Sequence, residues 1–180
     1  MTRIDIEGRL RFAFDNTWSA VKWDEEQSYL KGLGAGCPAH DAKAVDILAT
    51  LNLSTVHLIE VKDPRGHAIE YRDARTVEQL AKLVAEKVRD TLAGILYARG
   101  RIDAPHLLRH LKAKYHDRTA RIWVVFWYES PVLDPVLAMT LKGLLEAQLM
   151  WLRPKVVVCK RNLGDSFPGL TVSSLQGAPT

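Results

Sequence analysis

The chain has 180 residues, 47% hydrophobic and 26% charged, with a net charge of +4; this composition excludes a disordered polypeptide and suits one globular domain with a sizeable core. No apolar run approaches the roughly 18 residues a membrane span requires, and the charged start MTRIDIEGRL lacks the apolar core of a secretory signal, so a cytoplasmic protein without membrane attachment is expected. Cys37 and Cys159 lie far apart with no CxxC spacing, which indicates neither a zinc site nor a disulfide framework.

Ile4 to Asp15 alternates apolar and polar residues around Gly8 and reads as a strand pair or one bulged strand. Asn16 or Thr17 then caps a predicted helix, TWSAVKWDEEQSYLKGL, with Trp18, Val21, Tyr29 and Leu33 as an apolar stripe and Gly32, Gly34, Gly36 and Pro38 as its stop. Ala44 to Asp63 follows as a β-hairpin: two apolar runs joined by Leu51 to Thr55, which hold the turn formers Asn52 and Ser54. Asp63-Pro64-Arg65-Gly66 ends its second strand, and His67 to Arg75 reads as a short strand or a loop.

Thr76 to Arg99 is the clearest helix, capped by Thr76 with Gln79 in its first turn and carrying Leu80, Leu83, Val84, Val88, Leu92, Ile95 and Leu96 at helical spacing. Lys87 and Thr91 join that inward stripe. A short basic helix, HLLRHLKAKYHDR, comes next, then a buried strand over Arg121 to Glu129, a helix over Pro135 to Leu152 and a core strand over Lys155 to Lys160. Trp123, Trp127 and Trp151 lie in apolar runs and are expected in the core, as is Cys159. The order of elements predicts a three-layer α/β/α domain with a mixed central sheet over 1–163, followed by a flexible tail over 164–180.

Two charge patterns stand out from this frame. If the hairpin loop centres on Leu53, Asp46 falls opposite Glu60, where cross-strand Cβ atoms are roughly 5 Å apart, and Lys62 follows Glu60 on the same face. Both faces are otherwise apolar, with Val45, Ile47, Ile59 and Val61 on one side and Leu48, Val56 and Leu58 on the other. A sheet apolar on both faces is covered on both, usually by helices. Carboxylates placed there need a partner, and a hard divalent cation such as Mg²⁺, bound through oxygen, would satisfy two of them. The second pattern is the stretch from Arg99 to Arg121, with seven Lys/Arg against two Asp. Concentrated basic charge of this kind suits phosphate contact through counterion release, and equally a solvated helix face.

Asp46, followed after thirteen residues by Glu60-Val61-Lys62 on an apolar strand, resembles the signature of the PD-(D/E)xK nuclease superfamily, with VDILA and LIEVKD similar to the motifs of its restriction-endonuclease-like and Holliday-junction-resolvase-like members. Val45 stands where some members have proline. The resemblance implies a restriction-endonuclease-like fold and Mg²⁺-dependent hydrolysis of phosphodiester bonds, with Mn²⁺ able to substitute. It assigns catalysis to Asp46, Glu60 and Lys62, and metal binding to Asp46, Glu60 and the backbone carbonyl of Val61. Asp24, or else Glu25, is the implied supporting carboxylate on the preceding helix, and Lys87 a further polar contributor. Arg65, Arg99, Arg101, Arg109, Lys112 and Lys114 are the expected nucleic-acid contacts, with DNA placed ahead of RNA as the partner. The alternative is a non-catalytic nucleic-acid-binding or assembly subunit that retains the fold, acting as a homodimer or with a partner protein.

Overall fold

The hairpin forms as its alternation predicts. In the computed structural model, which describes residues 1–6, 9–25, 43–52, 54–65, 76–97, 121–162 and 167–175, β4 (Ile47–Leu51) pairs antiparallel with β5 (Thr55–Lys62), Ile47 opposite Ile59 and Leu51 opposite Thr55. Asn52 takes the left-handed conformation at φ 49° that an Asn in a tight turn tolerates, and the Ser54 N–H closes the turn on the Leu51 carbonyl at 3.0 Å. The first strand pair also appears, as β1 (Thr2–Ile6) and β2 (Leu10–Phe14).

The predicted helix from Thr17 does not begin there. Trp18–Lys22 is a strand, β3, paired antiparallel with β4; residues 26–33 of that prediction lie outside the described residues. The error has a physical source. Asp15 Oδ1 accepts the N–H of Thr17 at 2.8 Å, which makes Asp15-Asn16-Thr17 a turn, and the same short polar side chains that build such turns also cap helices. A strand covered on both faces then shows no alternation to read: Trp18 and Ala20 pack on one side and Val21 on the other.

Helix α1 (Val77–Tyr97) is fastened by a reciprocal cap, in which Thr76 Oγ1 accepts from Gln79 N at 3.3 Å and Gln79 Oε1 accepts from Thr76 N at 2.9 Å. It leads into β6 (Arg121–Tyr128), parallel to β5. Helix α2 (Pro135–Gln148), with Asp134 as N-cap and proline in its first turn, leads into β7 (Lys155–Cys159), parallel to β6. The main sheet therefore runs β3-β4-β5-β6-β7 and is mixed, as expected.

The layering differs from the expectation. Strand–helix–strand crossovers are right-handed, and both step the same way along the sheet, so both helices land on one face. There Ala81, Val84, Val88, Leu141 and Leu145 bury against Leu48, Leu58, Val124 and Phe126. The opposite face carries Ile47, Ala49, Ile59, Val61, Val125 and Val157, and it is covered by a second, three-stranded antiparallel sheet of order β1-β2-β8.

Strand β8 (Leu170–Ser174) lies in the segment expected to be a loose tail; it pairs with β2, and Phe167 just before it is buried. Trp127 and Cys159 are core residues as predicted, while Trp151 is 55% exposed and Trp123 only half-buried, with the Lys155 ammonium 3.8 Å above its ring. No helix among the described residues is long and apolar enough to cross a membrane.

Candidate active site

Asp46 stands one residue before β4, where the ladder with β5 runs out. In the register that sets Ile47 opposite Ile59 it faces Glu60. Its Oδ2 accepts the Val61 N–H at 2.6 Å, in place of the backbone acceptor that a longer β4 would supply, and its carbonyl accepts from Trp23 N at 2.8 Å. Helix α1 fixes the approach to this point. Thr91, fully buried, accepts the Val45 N–H at 3.0 Å through Oγ1, and Asp90 Oδ2 accepts that of Lys43 at 3.1 Å. The sequence marked Thr91 as inward-facing; its role in holding the segment before Asp46 emerges only from the packing.

Glu60 is completely buried on the helix-covered face near the end of β5. The Lys87 ammonium, descending from α1, donates to Glu60 Oε2 at 2.9 Å, lies 2.7 Å from Oε1 and 3.7 Å from Asp46 Oδ1. Lys62 lies 3.1 Å from the same Oε1. These contacts of Oε1 are ion pairs without hydrogen-bond geometry. Two anions and two cations thus share one patch, with Lys87 bridging the carboxylates. Burial first, and then the charge of Asp46, push the Glu60 carboxyl up to about 7, against the pull of Lys62 and Lys87.

Asp24 follows β3 in a turn rather than on a helix, and it belongs to the same electrostatic group: burial, and next the charge of Asp46, raise its pKa. Its Oδ1 is buried with no hydrogen-bond partner. Glu25, the other supporting carboxylate foreseen, is exposed and pairs with Lys22 at 2.5 Å. Arg65 makes two side-chain bonds to the buried carboxylate of Asp63, at 2.8 and 2.6 Å. Arg99, Arg101, Arg109, Lys112 and Lys114, with the rest of the basic stretch before Arg121, lie outside the described residues.

Among the described residues no three His, Cys, Asp or Glu side chains gather as a metal-binding group. The donors near Asp46 are nonetheless all oxygen. The Lys62 carbonyl is taken by Glu129 N at 2.8 Å on the β6 side, and backbone groups of successive strand residues point to alternate sides, so the Val61 carbonyl turns toward the Asp46 side with its own N–H. Two carboxylates and one carbonyl, with water completing the shell, match what a hard divalent cation accepts. The orphaned Asp24 Oδ1 and the ammonium already lodged between Asp46 and Glu60 show that the patch is built for positive charge.

Compared with known proteins, the chain matches no family model, no curated protein and no solved structure.

Proposed function

We propose that this chain is a metal-dependent nuclease that hydrolyses phosphodiester bonds, with DNA as its substrate. The observation that carries the reading is the convergence of Asp46, Glu60 and Lys62 where β4 begins and β5 ends, in the middle of the mixed sheet, with Glu60 buried and opposed by two lysines. A solvated strand end has no cause to bury a carboxylate at a cost of several kcal/mol.

Asp46, Glu60 and the Val61 carbonyl would hold Mg²⁺ or Mn²⁺, which when bound polarises the scissile phosphate and lowers the pKa of a coordinated water. Lys62 orients the attacking water and offsets the negative charge that builds on the phosphorane. Lys87 holds the Glu60 carboxylate in place from above, and Thr91 holds the segment that presents Asp46. The backbone of the substrate would lie across the carboxyl edge of β5 and β6, near Arg65.

The reading is tested by incubating the purified protein with plasmid, linear and branched DNA and with RNA, in Mg²⁺ or Mn²⁺, alongside Asp46→Ala and Lys62→Ala. Each variant is expected to lose cleavage by at least about 10²-fold while keeping the wild-type circular dichroism spectrum; a variant that still cleaves at the wild-type rate rejects the assignment.

One observation favours a second reading. The charges of Asp46 and Glu60 are already balanced by Lys87 and Lys62 without any metal, which suits a nucleic-acid-binding or assembly subunit that keeps the fold and performs no chemistry. Calorimetric titration with Mg²⁺ and Mn²⁺ separates the two: the nuclease reading expects binding that Asp46→Ala removes, and the subunit reading expects none.

A further inference from the structure

Large exposed hydrophobic side chains are concentrated in one region. Apart from Met1, all of them among the described residues fall between 132 and 151: Val132 at 66%, Val136 at 73%, Met139 at 74%, Met150 at 73% and Trp151 at 55%. In α2, Leu141 and Leu145 point into the core, while Val136, Met139, Thr140, Gly143 and Ala147 recur at helical spacing on the outward side. An outward row of apolar and small residues of this kind, flanked by the exposed Val132, Met150 and Trp151, marks a contact surface.

Gly143 supplies a second, independent observation. It sits near the middle of α2, it is exposed, and a Cβ built on it would meet nothing within 4 Å. A mid-helix glycine weakens a helix relative to alanine, and no neighbour among the described residues requires the missing side chain. What a glycine at the centre of an exposed apolar stripe provides is close approach of another backbone.

We infer that this face of α2 is the interface with a second copy of the chain, the two helices packing antiparallel about a twofold axis through Gly143. The stripe is self-complementary under that operation. Gly143 meets its own equivalent, Met139 falls over the small Ala147 of the second copy, and Val136 reaches the turn holding its Met150. The charges also match. Lys142 and Glu146, which form an i, i+4 pair at 3.9 Å within one helix, each come near the opposite charge of the second copy when the helices run antiparallel. The surface is therefore neutral and fitted to itself, which singles out a copy of this chain over a partner of one charge sign. The candidate active site does not enter this inference, which stands or falls without it.

The test is mass measurement by light scattering and sedimentation on the full chain, from about 1 to 100 µM, a range that spans micromolar association. The wild type is expected to approach twice its 20.3 kDa mass. Met139→Glu and Gly143→Leu, both at exposed positions, are expected to remain monomeric with unchanged circular dichroism. Gly143→Cys is expected to form a disulfide-linked dimer under mild oxidation, because the axis brings the two residues together. A wild type that stays monomeric over the whole range overturns the inference. So does a dimer that survives Met139→Glu, or a Gly143→Cys chain that cross-links no more than the wild type.

Discussion

Glu60 and His57 sit three residues apart on the same strand, both about 1% exposed or less, and the fold treats them in opposite ways. Glu60 faces the helices and meets Lys62, Lys87 and Asp46; His57 faces the three-stranded sheet and meets the rings of Trp18 at 4.7 Å, Trp123 at 5.4 Å and Phe167 at 5.9 Å. Burial drives the imidazole pKa down to about 4, leaving it neutral with Nδ1 unpartnered, and drives the Glu60 carboxyl up to about 7. Burial works against charge at both sites. Only at the strand end, where α1 can deliver a cation, is charge retained.

Breaking the charged site gives the larger effects. Lys87→Met removes the cation bridging Asp46 and Glu60 and is expected to cost about 3 kcal/mol of unfolding free energy at pH 8. The cost shrinks at pH 5, where the carboxyl is protonated with or without Lys87; equal losses at the two pH values, measured by urea denaturation, would speak against the bridge. Glu60→Gln sharpens the same point. A carboxyl raised from 4.5 to about 7 in the folded state contributes stability that is complete below pH 4.5 and is lost as the pH rises through 7. The glutamine variant is therefore expected to gain on the wild type by about 3 kcal/mol between those values, and parallel pH profiles would refute it.

The aromatic site gives smaller changes. Gly169, at φ +75°, closes the turn beside Phe167, and an added Cβ would fall 2.3 Å from Asp15 Oδ2. Gly169→Ala is expected to cost about 1–3 kcal/mol, read as a lowered unfolding temperature; an unchanged transition would mean that this turn yields freely. For His57 the sign reverses: a folded pKa near 4 against 6.5 gives stability that is complete above pH 6.5 and is lost as the pH falls toward 4. Its ring-proton NMR signal is expected to stay constant from pH 8 to about 5, and a midpoint near 6.5 would show the ring to be solvated.

Much of this was legible in the residues. The register that sets Asp46 against Glu60 follows from a five-residue loop and period-two alternation, and the Thr76/Gln79 cap fixes the start of α1 within a residue. What escaped depends on partners distant in sequence. Strand β3 looked like a helix start because Asp15, Asn16 and Thr17 serve a turn as readily as a cap. The second sheet was hidden because Leu170–Ser174 is a largely exposed strand that pairs, among the described strands, with β2 alone. Lys87 could be placed on the inward stripe, yet its span across two carboxylates required the helix to be seated on the sheet.

Strand β2 also bears on how the chain reaches this state. One of its neighbours, β1, is a hairpin partner; the other joins Leu10 to Ser174 from the far side of the sequence. Such a pairing has very high contact order, and closing it carries the entropy of nearly the whole chain. During synthesis β1 and β2 emerge well before β8 and their sheet cannot be completed until β8 has been made. Until then Leu10, Phe12 and Phe14, all fully buried in the finished fold, are beside an open strand edge, where self-association competes with folding. The helix-covered half closes through nearer contacts, which makes β8 docking the late step and the one through which a slow folding phase or an aggregating intermediate would first appear.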